Sequence, residues 1–182
     1  MWDRPEDLNI VDDESVFMGK ANFFEDIVGF SETNLEGLTV TGTGSVQQVL
    51  EKAVLVTEPL TGESTIDLKK GSLIFYTTDA TGSFTFNLRG DAATSIDSLL
   101  KPGKSITITM LCTMGGSAQV LPGTNGLKID GVGQTIKWLN NTTPSAGTAN
   151  AINVYTFVII RNASSTDVSS RYTVLGSFVY FS

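Results

Sequence analysis

The chain has 182 residues, of which 41% are hydrophobic and 17% charged, and its formal net charge is −7. That length suits one domain with a real core plus an arm, and it is short for two full domains. Residues 1–36 hold ten acids and two bases, a net of −8, while residues 37–182 hold nine acids and ten bases, a net of +1; no basic face is concentrated anywhere, which argues against a nucleic-acid binder.

The acidic segment 1–36 also carries Trp2, Phe17, Phe23, Phe24, Ile27 and Phe30. Disordered tails are poor in aromatics, so these residues predict an extended arm that orders by packing on a partner. In that reading the apolar side chains anchor the arm, and carboxylates such as Asp12, Asp13 and Glu14 set its register on a basic surface. The alternative is an arm that folds back on its own domain. The N-terminus MWDRPEDLNIVDDE is acidic where a secretory leader is basic and then apolar, and no apolar run reaches the roughly 20 residues of a membrane helix. A soluble protein made in the cytoplasm is therefore expected.

Residues 37–58 read as a connector. LTVTGTGSV alternates apolar residues with Thr and Gly as an exposed strand does, and SVQQVLEK could add one helical turn. From about residue 52 the period is two. KAVLVT (52–57), STIDL (64–68), SLIFYT (72–77) and SFTFNL (83–88) read as short strands bounded by Gly, Pro or Asp. DAATSIDSLLKPGKS is the helical exception: Thr94 or Ser95 caps a turn or two that carries Ile96, Leu99 and Leu100, and Pro102-Gly103 ends it.

KSITITMLCTM (104–114) alternates most clearly, with Ile106, Ile108, Met110, Cys112 and Met114 inward and Thr107, Thr109 and Thr113 outward. Cys112 is then a small core residue rather than a reactive thiol. AQVLP (118–122), GLKID (126–130), QTIKWL (134–139), VYTFVIIR (154–161) and YTVLGSFVYF (172–181) complete the strands, with Gly176 marking a division or a bulge in the last. Turn signals such as DATG, PGTNG, DGVG and TPSAG separate them. This spacing predicts an all-β fold over residues 59–182: an antiparallel β-sandwich or jelly roll with one short helix, preceded by the extended arm.

The chain has no histidine, which removes the usual general base, the Ser-His-Asp arrangement and the commonest zinc ligand. The acids of residues 37–182 are scattered at turns, where turn forming and capping explain them. Gly131 and Gly133 have no helix after them to make a phosphate loop. Asp12-Asp13-Glu14 lacks the spaced ligands and turn glycine of a calcium loop. Arg89-Gly90-Asp91 matches an integrin-type tripeptide and reads as a coincidence of turn chemistry. Trp138 and Tyr155 are the one candidate glycan contact, because flat rings suit sugar faces, although strand positions more often pack inward. No cofactor, no metal and no enzymatic activity are expected.

The runs LEKAVLVTE, GSLIFYTTDATGSFTFNLRGD, SIDSLLKPGKSITITML, IDGVGQTIKWLNNTTPSAGTANAINVYTFVIIR and YTVLGSF, together about residues 35–182, resemble a β-rich module of virion structural proteins of marine tailed phages, including those of cyanobacteria. There the module often follows fibre-like LTVTGT units, and this chain has one such unit. The resemblance implies a non-enzymatic virion part present in several copies and often trimeric: a fibre, baseplate or adaptor-type tail subunit. The alternatives are a capsid decoration protein or a glycan-binding fibre tip. The expected partners are other virion proteins and further copies of the chain, and the expected location is the virion.

Overall fold

A computed structural model of the chain describes residues 50–123, 125–162, 167 and 169–182. The acidic arm, the connector up to residue 49 and the docking candidates Trp2, Asp12, Asp13, Glu14, Phe17, Phe23, Phe24, Ile27 and Phe30 lie outside the described residues.

The described part is mostly β. Its strands are β1 (Ala53–Val56), β2 (Gly62–Asp67), β3 (Leu73–Ala80), β4 (Phe84–Arg89), β5 (Ser105–Met114), β6 (Leu127–Ile129), β7 (Val132–Gly133), β8 (Ile136–Trp138), β9 (Ile152–Arg161) and β10 (Tyr172–Phe181), and one short helix, α1 (Ile96–Leu99), precedes β5. They form a six-stranded sheet of order β1-β3-β5-β9-β10-β8 and a four-stranded sheet of order β2-β4-β6-β7.

The antiparallel expectation fails here. β1, β3 and β5 run parallel in the first sheet, β2, β4 and β6 run parallel in the second, and β8 runs parallel to β10. Only β5 with β9, β9 with β10 and β6 with β7 pair antiparallel among the described residues. For its first six strands the chain alternates between sheets, so each second strand returns beside its predecessor and in the same direction. A turn signal in the sequence marks where the chain bends but not which sheet it enters next, and both outcomes share a period of two.

Local chemistry explains the connections. Asp130 and Gly131 both adopt positive φ, 49° and 82°, and link β6 to β7 as a two-residue turn whose twist matches a hairpin. Ser95 caps α1 by accepting a hydrogen bond from Ser98 N at 3.2 Å, and both Asp130 carboxylate oxygens accept from Ile96 N at 3.0 Å. Asp97 receives Arg161 at 2.8 Å and Arg171 at 3.0 Å, and Arg161 Nη1 also donates to the Asp97 and Leu100 carbonyls. That arginine thereby closes the C-terminal carbonyls of α1 and ties the helix to β9.

One core serves both sheets. From the four-stranded sheet come Ile66, Phe84, Phe86, Leu88 and Leu127, and from the six-stranded sheet Ile74, Tyr76, Ile108, Met110, Tyr155 and Phe157. Their rings meet across the gap: Phe86 lies 6.1 Å from Tyr76 and 6.4 Å from Tyr155, and Phe84 lies 6.1 Å from Tyr155 in an edge-on arrangement. AQVLP, expected as a strand, is irregular; Leu121 within it is buried and its N–H donates to Tyr155 Oη at 3.1 Å. Leu121 alone of its apolar residues is fully buried, and the backbone there finds a side-chain partner instead of a ladder.

Candidate interaction surface

The outward side of the six-stranded sheet is the most unusual surface among the described residues. Strand register aligns Leu55, Phe75, Leu111, Val154 and Val179, one from each of β1, β3, β5, β9 and β10, in a single row across five strands. Directly paired residues on one face sit about 5 Å apart at Cβ, so the row is a continuous apolar stripe. The next rows carry Ala53 and Leu73 beside Thr109, Thr156 and Ser177 on one side, and Thr113, Ile152 and Phe181 on the other. Leu55 is 64% exposed, Val179 51% and Phe181 65%, while Phe75 and Leu111 are half-buried and Val154, at 8%, is buried between its neighbours.

None of the paired outward positions of β1, β3, β5, β9 and β10 is charged. Charge appears only at the margins, with Lys137 on β8 and Asp79 at the end of β3. At the β8 and β10 edge the face dips into a cleft of about 410 Å³ whose lining includes Lys137, Leu139, Val158 and Leu175. Exposed sheet faces normally alternate toward polar and charged residues, and contiguous apolar patches beyond a few hundred Å² mark interaction sites.

The glycan candidates do not reach this surface as platforms. Tyr155 is fully buried, stacked 6.5 Å from Phe157 and 4.9 Å from Phe178, and burial pushes its hydroxyl pKa up. Trp138 is 9% exposed and packs edge-on against Phe157 at 6.0 Å. Tyr155 therefore offers no ring face to solvent, while Trp138, largely buried, borders the cleft at the β8 and β10 edge. Both residues belong to the inward row, the choice that strand alternation favours for large aromatics.

The remaining chemistry is accounted for locally. Cys112 is buried and burial raises its thiol pKa, so the inward reading of that residue holds. Tyr76 is pushed up to about 12 by burial, and its hydroxyl pairs with Ser64 Oγ. The Arg89-Gly90-Asp91 charges are spent on neighbours: Arg89 Nε on Asp67 at 2.7 Å, and Asp91 on Lys69 at 2.8 Å. Among the described residues no group of three or more His, Cys, Asp or Glu is placed to hold a metal ion, and no helix is long and apolar enough to cross a membrane.

These ion pairs set an acid limit. Hydrogen bonding to Arg89, and then to Lys70, holds the Asp67 carboxyl below its ordinary 3.8. A carboxyl depressed in the folded state stabilises it above the unfolded pKa, and that contribution is lost as pH falls through the folded value. Urea unfolding should therefore show no loss from Asp67 between neutral pH and about pH 4, and a progressive loss below it. In Asp67→Asn the neutral-pH stability should drop and the acid slope should shrink; an unchanged slope would show that the pair does not form.

No protein-family model matches the chain, and no curated protein and no solved structure matches it.

Proposed function

We propose that this chain is a non-enzymatic structural part of a tailed-phage virion, a short tail-associated subunit present in several copies. In this reading the acidic aromatic arm docks on a neighbouring virion protein, and the two sheets form a sandwich-like body that packs against further copies. The observation that carries the reading is the uncharged apolar outer face of the six-stranded sheet, a surface that a chain working alone in water has no use for. The sequence resemblance to phage virion modules supplies the setting, and the separation of charge between arm and β-body supports a division of labour between docking and packing.

The test is incorporation into particles. A chain lacking residues 1–36 should remain folded and soluble yet be missing from purified virions by mass spectrometry. The full chain should be present, in the tail fraction once heads and tails are separated. Recovery in the head fraction would make it a capsid decoration protein, and normal incorporation of the truncated chain would refute arm docking.

A further inference from the structure

We propose that the outer face of the six-stranded sheet is the contact between copies of this chain, with a second copy laying the same face against the Leu55, Phe75, Leu111, Val154 and Val179 row. This deepens the assembly reading and rests on it. It is nevertheless tested on the isolated full chain, so that each idea can fail alone.

Size is the first argument. Five strands at about 4.8 Å spacing, with the longest running ten residues at about 3.3 Å, make a face on the order of 700 Å². A stable interface buries about 800 Å² on each partner, so this face alone approaches what is needed.

Charge is the second. The paired outward positions offer Leu, Ile, Val, Phe, Ala, Thr and Ser and no ionised group, so a charged partner would bury its own ions against a surface with nothing to pair them. The partner must present a flat, uncharged, apolar-and-hydroxyl surface of the same extent. This face is such a surface, and two-fold contact requires only that a patch be complementary to itself. Leu111 on β5 lies in the middle of the five-residue row, with Leu55 and Phe75 on one side of it and Val154 and Val179 on the other. Rotating the row about an axis near Leu111 therefore sets apolar residues against apolar residues throughout.

Anatomy is the third. Interface cores are depleted of charge while their rims stay polar, and here Asp79 and Lys137 sit at opposite margins. The cleft at the β8 and β10 edge, with exposed Leu139 on its lip, offers a depression for a protruding side chain of the second copy.

Light scattering on the full chain should give a mass near twice 19.4 kDa. Val179→Asp and Leu55→Asp change exposed positions on different strands, and each should weaken association by about 100-fold or more through an unpaired charge in the contact. Thermal melts of each variant at low concentration should match the dissociated wild type. Hydroxyl-radical footprinting of the unmodified chain gives a reading that does not depend on variants folding. Leu55, Leu175 and Phe181 should be protected in concentrated samples and labelled on dilution. A monomeric mass at all concentrations, or oligomers that survive both substitutions, would overturn the proposal. So would protection independent of concentration, which would assign the face to the chain's own residues 1–49. Oligomers formed through this face by a chain absent from virions would leave the contact standing and remove the phage reading.

Discussion

Phe86→Ala should lower the unfolding free energy by about 3–5 kcal/mol. Phe86 lies at the middle of the four-stranded sheet, paired with Ser64 on β2 and Leu127 on β6, and is fully buried. Its ring touches the Phe84 ring at 5.3 Å within its own sheet, and reaches Tyr76 and Tyr155 of the opposite sheet at 6.1 and 6.4 Å. Removing it deletes aromatic surface on both sides of the gap and leaves a void that two hydrogen-bonded sheets cannot readily collapse around. Small domains are stable by about 5–15 kcal/mol, so the variant should be marginal at 37 °C. Urea titration should show a large fall in midpoint with little change in slope. Phe86→Leu retains most of the volume and should recover more than half of the loss. A cost under about 1 kcal/mol for the alanine variant would mean that the sheets do not meet at this ring.

How far the sequence discloses such positions depends on the range of the interaction. Strand existence is local: the inward row Ile106, Ile108, Met110, Cys112 and Met114 was legible from alternation alone, and the structure buries all but Ile106, which packs partly buried against the same core. A cap at Thr94 or Ser95 and a turn within DGVG were legible too, because each rests on a few adjacent residues with restricted backbone preferences, and the structure places them at Ser95 and at Asp130-Gly131. Direction of pairing was not legible, since β1, β3 and β5 lie side by side only because the intervening strands cross to the other sheet.

The same limit hid the apolar outer face. Thr107, Thr109 and Thr113 make the outward side of β5 look polar in isolation, and Leu111 among them looks incidental. Register turns it into the centre of an apolar stripe, because Phe75 falls opposite it on one side and Val154 on the other. Each strand contributes between one and four outward apolar residues, unremarkable alone. No window along the chain contains the row, so only pairing could reveal it.

Gly176→Ala should cost about 1–3 kcal/mol and move β8. Gly176 was expected to break or bulge the last strand, yet β10 runs unbroken from Tyr172 to Phe181 and Gly176 pairs regularly with Phe157 and Trp138. Its lack of a side chain serves packing. A Cβ there would stand 2.6 Å from Ile136 Cγ2 and 3.0 Å from the six-membered ring of Trp138. β8 is a three-residue edge strand held on one side only, so it will yield before β10 does. The Trp138 indole N–H is buried without a hydrogen-bond partner, so packing alone positions the ring. Displacement should therefore expose it, and on a Trp2→Phe background, which leaves Trp138 as the sole tryptophan, Gly176→Ala should red-shift the emission. Ile136→Ala removes the nearest clashing methyl and should restore part of the stability when combined with Gly176→Ala, giving a favourable coupling in a double-mutant cycle. Additive losses with unshifted emission would show that β8 does not pack over Gly176.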